Sequence, residues 1–209
     1  MIRSLLVGLA LVAVAGAAAY AQDDTITPLA IGSKAPMSNT KMKSALDGKD
    51  YTIASVGGKK GTLVVFTCNH CPWAKAWESR IVALGNDFAK KGVGVIAINS
   101  NDPSAYQEDD YATMQERAKA DKMSYPYVVD ATSNVARAFG ASHTPEAFLF
   151  DKEGKLVYHG GIDDNAKEPD QVKDKYLEVA LTSVVSGRPV AQAETKALGC
   201  GIKFRKSSS

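Results

Sequence analysis

Thr62-Leu63-Val64-Val65-Phe66-Thr67-Cys68-Asn69-His70-Cys71-Pro72-Trp73 is the stretch that decides the fold. Its opening run of β-branched, aliphatic and aromatic residues is the pattern of a strand covered on both faces. Two cysteines follow at once. Downstream, Ala74, Trp77, Ile81, Leu84 and Phe88 recur at spacings of three and four, which predicts an apolar stripe on a helix from about Asn69 to Lys91, stopped at Gly92. The order is strand, cysteine pair, helix.

The alternation continues outward. Val93 to Asn99 reads as a second buried strand, Asp109 to Lys122 as a polar helix and Tyr125 to Val129 as a third strand. A short helix from Ser133 to Phe139 ends at Gly140. Glu146 to Phe150 and Lys155 to His159 form a hairpin around Lys152-Glu153-Gly154, and a last helix runs from about Asp170 to Val185. Residues 23 to 60 read as an irregular N-terminal extension with one short strand near Tyr51 to Ser55. The class is α/β, with a mixed central sheet flanked by helices.

Composition narrows the function. The 209 residues are 45% hydrophobic and 23% charged, enough for one domain with a real core. The 25 basic and 23 acidic residues are scattered, so no basic stripe follows a nucleic-acid backbone and no nucleic-acid partner is expected. At the N-terminus, Arg3, the apolar run Leu5 to Ala18 and the small-x-small step Ala19-Tyr20-Ala21 read as a signal peptide over residues 1–21, leaving residues 22–209 as one domain. The run is short of the roughly 20 residues that span a bilayer, so no stable membrane span is expected after cleavage. The expected location is periplasmic or secreted, where disulfides persist.

A bridge between cysteines three positions apart closes almost no loop, so Cys68 and Cys71 point to chemistry more than to scaffolding. On a helical first turn, residues i and i+3 share a face, within reach of disulfide geometry. The helix N-terminus favours a thiolate, which makes Cys68 the expected nucleophile and Cys71, next to Pro72, the resolving thiol of a redox-active disulfide. His70, between them, is expected to tune the redox poise by stabilising the Cys68 thiolate. Expected partners are protein or small-molecule thiols and disulfides, together with a redox partner that resets the pair; no cofactor and no metal are expected. Cys200 is either a buried thiol that packs the C-terminal segment or an additional partner for Cys68.

Phe66 to Trp73, the Thr144-Pro145 step before a hairpin strand, Gly160-Gly161-Ile162-Asp163-Asp164 and Gly199-Cys200-Gly201-Ile202-Lys203-Phe204 together resemble the peroxiredoxin-like (redoxin, AhpC/TSA-related) group of the thioredoxin superfamily. The similarity covers about residues 30 to 204. It implies a thioredoxin-like fold with an N-terminal extension, a cis peptide bond at Pro145 facing the cysteine pair, and a Thr144 backbone that positions an extended substrate. The chain departs from its relatives in places. Thioredoxin has a buried aspartate six residues before its first cysteine, where Thr62 stands here. Relatives in cytochrome c maturation have a glutamate where Ala74 stands. Glu146, beside Pro145, reads as a solvated strand-end carboxylate.

Two alternatives remain open. A thiol peroxidase of the same group uses Pro-x-x-x-Thr-x-x-Cys, but the corresponding positions are Gly61 and Val65 before Cys68, and Val64 and Cys68 before Cys71. A Sco-like copper-binding protein would use Cys68, Cys71 and His143. Its cysteines are spaced by three residues instead of two. The acidic run Glu108-Asp109-Asp110 reads as a helix N-terminus, and His159 as a surface or half-buried strand residue.

Overall fold

The computed structural model describes residues 26–206; the predicted signal peptide lies outside them. The elements are β1 (Met42–Ser44), β2 (Asp50–Tyr51), β3 (Gly61–Phe66), α1 (Pro72–Lys90), β4 (Val93–Asn99), α2 (Tyr111–Ala120), β5 (Tyr127–Val129), α3 (Asn134–Phe139), β6 (His143–Thr144), β7 (Glu146–Asp151), β8 (Leu156–Gly160), α4 (Tyr176–Val185) and β9 (Cys200–Gly201). A seven-stranded sheet runs β2-β1-β5-β4-β3-β7-β8, and β6 pairs with β9 in a separate two-stranded ribbon. β3 lies parallel to β4 and antiparallel to β7, so the sheet is mixed, as its alternating pattern predicts.

The strand period divides the core in two. Leu63 and Val65 of β3 face Trp77, Ile81 and Phe88 of α1, Met114 of α2, and Leu177 and Leu181 of α4. Val64 and Phe66 face the opposite way, against Phe139 of α3 and Phe148 and Phe150 of β7. Phe66, Phe139 and Phe148 meet edge to face at 5.2 to 5.7 Å, a geometry worth about 1 kcal/mol per pair beyond the area buried. This two-sided packing holds the C-terminal end of β3, and the cysteines just after it, against a rigid base.

The structure corrects three boundaries. The N-terminal extension is not wholly irregular: β1 pairs antiparallel with β2 and with β5, and extends the sheet at that edge. Strands of three and two residues are too short to display alternation. The last helix begins at Tyr176, and the predicted start near Asp170 lies in a separate 3-10 turn, Pro169–Gln171. Most important for the site, α1 begins at Pro72 instead of Asn69, with Cys71 as its N-cap. Pro72 has no N–H to lose at that position. The proline also disfavours the helical conformation at the residue before it, and Cys71 is extended (φ −67°, ψ 124°), while the Asp109 carboxylate accepts from the N–H groups of Asn69 and His70.

Candidate active site

The turn carrying the cysteines is clamped from below by one buried carboxylate. Asp109 Oδ1 accepts from the backbone N–H of Asn69 at 2.6 Å and of His70 at 3.3 Å, while Oδ2 meets His70 Nδ1 at 2.5 Å and accepts from Asn101 Nδ2 at 2.8 Å. Asn69 is held at both ends: its Nδ2 donates to the Glu108 carbonyl and its Oδ1 accepts from the Tyr127 hydroxyl. The His70 ring stacks on Tyr106, 3.9 Å between centroids. The acidic run therefore does more than serve a helix dipole. Asp110 is the N-cap of α2, accepting from Thr113 N, and Asp109 turns inward. Only one residue can occupy an N-cap, and that was the available signal that a neighbouring acid had another role.

Thr144 lies across the two sulfurs. The Thr144-Pro145 bond is cis, and it places the Thr144 hydroxyl 3.0 Å from Cys68 Sγ and the Thr144 carbonyl 3.2 Å from Cys71 Sγ, where it accepts from Cys71 whenever that sulfur carries the proton. Cys68, Cys71, His70, Thr144 and Pro145 are thus brought together, as expected. The third cysteine joins them. Cys200 Sγ is 2.6 Å from Cys71 Sγ, so its contact is with Cys71 and not with Cys68.

The sulfurs of Cys68 and Cys71 compete for one proton, and the pull toward a thiolate falls on Cys71. Cys71 is lowered to about 4, first by the Cys68 thiol hydrogen-bonding to it, then by Cys200 and the backbone N–H groups of Ala74 and Cys200, against the cost of burial. Cys68 is pushed strongly upward, first by its pairing with Cys71, then by burial, with the Asp109 charge adding to the rise and the Thr144 hydroxyl opposing it. Burial, followed by Cys71, raises Cys200 to about 11. The helix start adds to this: with Cys71 as N-cap, the backbone N–H of Ala74 in the first turn of α1 also serves Cys71.

Glu146 is buried instead of solvated. Its Oε1 meets His159 Nε2 at 2.6 Å, and its Oε2 accepts from the backbone N–H groups of Ser142 and His143 at 2.8 and 2.9 Å. This pair fixes the segment leading into the cis bond, and it makes His159 a buried residue as well. His143 does not join the cysteines: its Nδ1 is 2.7 Å from Ser142 Oγ, and it alternates along β6 with Thr144, whose hydroxyl faces Cys68. Among the described residues, the metal-type side chains that do converge are Cys68, His70 and Asp109, with ligand atoms within 4.8 Å of one another. His70 and Asp109 already satisfy each other there. In the Gly160 to Asp164 motif, Asp163 accepts from Trp77 Nε1 at 2.7 Å and pairs with Arg80, which ties α1 to the chain after β8.

A model of the AhpC/TSA family matches residues 31–159. An uncharacterized conserved protein from Geobacillus kaustophilus superposes with a TM-score of 0.78 at 35% identity, over 86% of this chain and 94% of that one. A hypothetical protein from Sinorhizobium meliloti 1021 superposes with a TM-score of 0.77 at 33% identity, over 86% of this chain and 97% of the other. The thiol-disulfide oxidoreductase ResA of Halalkalibacterium halodurans is 26% identical over 136 residues, 64% of this chain and 69% of that protein.

Proposed function

Because the chain belongs to the AhpC/TSA family, we propose that it is an exported thiol-disulfide oxidoreductase whose redox pair is Cys68 and Cys71. The observation that carries this reading is the pair of sulfurs held at 3.0 and 3.2 Å against the hydroxyl and carbonyl of Thr144, at a cis Thr144-Pro145 step. The ResA relatives carry the same enzyme class in their names.

The charge pattern supplies the proton acceptor that Thr62 and Ala74 lack. The two sulfurs share one proton, and Cys68 attacks in the state in which that proton sits on Cys71. Cys68 displaces one thiolate from a substrate disulfide and forms a mixed disulfide; the departing thiolate takes the proton from Cys71. Cys71, now a thiolate, attacks Cys68 Sγ, closes the intramolecular disulfide and releases the second sulfur as a thiolate, which takes a proton from solvent. Run backward, the same steps oxidise a dithiol. His70 and Asp109 fix the turn, and Thr144 and Pro145 position the substrate.

Trp73, Tyr106 and Leu198, each about 40% exposed, flank the cysteines in sequence or by stacking on His70, and suit a protein substrate with apolar side chains. Export rests on the N-terminal pattern of residues 1–21, with a periplasmic or secreted location. No helix among the described residues is long and apolar enough to cross a membrane. The missing Pro-x-x-x-Thr-x-x-Cys pattern speaks against peroxidase chemistry, and the placement of His143 against copper.

The test is turnover of a protein disulfide by the full chain, with a small dithiol as electron source. Cys68→Ser and Cys71→Ser are each expected to abolish it. Undiminished turnover in either variant would refute the assignment, and peroxide consumption at a comparable rate would replace it with the peroxidase reading.

A further inference from the structure

The Thr144 backbone, where an extended substrate is expected to pair, is already paired. β9 lies antiparallel to β6, with Thr144 opposite Cys200 and His143 opposite Gly201. The approach is close enough to require glycine: a Cβ at Gly199 would lie 2.2 Å from the Thr144 carbonyl oxygen. The chain is fastened on both sides of this contact. Before it, Thr195 N donates to the His159 carbonyl and Thr195 Oγ1 accepts from Gly161 N, both at 3.0 Å. After it, Ile202 N donates to the Ser142 carbonyl at 2.9 Å, Lys203 N to Asn101 Oδ1 at 2.7 Å and Arg205 N to Ser133 Oγ at 3.0 Å. Asn101 also holds Asp109, so this strap and the cysteine turn share a hydrogen-bond network.

The strap sets Cys200 2.6 Å from Cys71, and of the three cysteines Cys200 alone is partly exposed while the other two are buried. A thiol that merely fills space does not need a strand, a glycine contact and two anchored ends to bring its sulfur onto another sulfur.

We propose that Cys200 is a third redox-active thiol, delivered by the strap to Cys71 and exchanging disulfides with it. This deepens the reading of Cys68 and Cys71 as a redox pair and rests on it. Starting from the Cys68–Cys71 disulfide, Cys200 loses its proton and attacks Cys71 Sγ. The Cys71–Cys200 bond forms, the Cys68–Cys71 bond breaks, and Cys68 leaves as a thiolate that takes up a proton. One disulfide is exchanged for another, so no electrons enter or leave. The product has Cys68 reduced beside Thr144 and the oxidising equivalent stored on the strap. A peptide that displaces β9 from Thr144 would pull Cys200 from Cys71, so substrate entry and this exchange oppose each other.

Tryptic mapping separates the two bonds. Cys68 and Cys71 share the peptide 61–75, while Cys200 lies in 197–203, so a Cys71–Cys200 bond links two peptides and a Cys68–Cys71 bond links none. The full chain and its Cys68→Ser variant are equilibrated with reduced and oxidised glutathione, quenched in acid and mapped. In Cys68→Ser, Cys71 or Cys200 is first oxidised by glutathione disulfide and then resolved by the other, so the linked pair 61–75/197–203 is the expected dominant product. Adding Gly199→Ala should shift that product toward separate glutathione adducts. The wild-type chain should carry both kinds of bond. If Cys68→Ser gives only glutathione adducts or free thiols while the wild type forms the bond within 61–75, the third thiol is refuted and the redox pair stands. If the wild type forms no disulfide at any glutathione ratio, both fall.

Discussion

The two segments that meet at Thr144 are built by different means. The cysteine turn lies between β3 and α1, so its position follows from a fully covered strand and a helix whose apolar stripe packs on that strand. The strap, about residues 193 to 205, has one two-residue strand and is held by single backbone pairings and side-chain caps to four separate parts of the chain. The first is fixed by burial, which is strong and non-directional. The second is fixed by hydrogen bonds, each worth only about 1 kcal/mol net. The turn is therefore the rigid half of the site, and the strap is the half a substrate can displace.

The largest expected effect comes from the buried carboxylate that clamps the turn. Asp109→Ala leaves the N–H groups of Asn69 and His70 and the Asn101 amide without their acceptor, at about 1 to 3 kcal/mol for each group that stays buried and unpaired. Denaturant unfolding should show a loss of about 3 kcal/mol or more. Asp109→Asn keeps an acceptor oxygen and should recover part of it. Equal losses in both variants would locate the clamp in the charge and not in the hydrogen bonds.

Gly199→Ala addresses the strap. The added methyl meets the Thr144 carbonyl, and since the strap can shift, the expected loss is smaller, about 1 to 2 kcal/mol. Amide exchange should speed up at Gly201 and Ile202 while β3 keeps its protection. Uniform destabilisation across β3 would mean that the strap is part of the core after all.

That contrast also explains what could be read from the sequence. Leu63 to Phe66, the Cys68 to Cys71 stretch, the stripe from Ala74 to Phe88 and the Thr144-Pro145 step each leave a periodic or local signal, and they give the fold and five of the site's residues. Pairings such as Asp109 with His70, Glu146 with His159 and Cys200 with Cys71 join residues 39, 13 and 129 positions apart. No periodicity encodes them. The helix start is the exception, because its signal is local: Pro72 pushes Cys71 out of the helical region, so α1 begins after the cysteine pair and not before it.

The smallest effect concerns protons. Because Cys71 is lowered from 9.0 to about 4, the unfolded chain binds more protons at this thiol than the folded one between those values. Cys68 is raised by the same pairing, so the two thiols' contributions to stability oppose each other and the clean readout is the redox potential. Over the same window the reduced pair holds one thiol and one thiolate, so reduction takes up one proton for two electrons. The midpoint potential should fall by about 30 mV per pH unit, against about 59 mV if both sulfurs were thiols. A slope near the second value at neutral pH would show that Cys71 is not the thiolate.

The central claim is that Cys68 and Cys71 form a working redox couple poised by a stabilised thiolate, and it is tested most directly by a redox titration of the full chain in glutathione buffers at pH 7, following the disulfide within peptide 61–75. A reversible two-electron transition is expected, with a midpoint above the roughly −270 mV of thioredoxin because the stabilised thiolate favours the reduced form. The absence of a reversible bond, or a midpoint at or below the thioredoxin value, would contradict it.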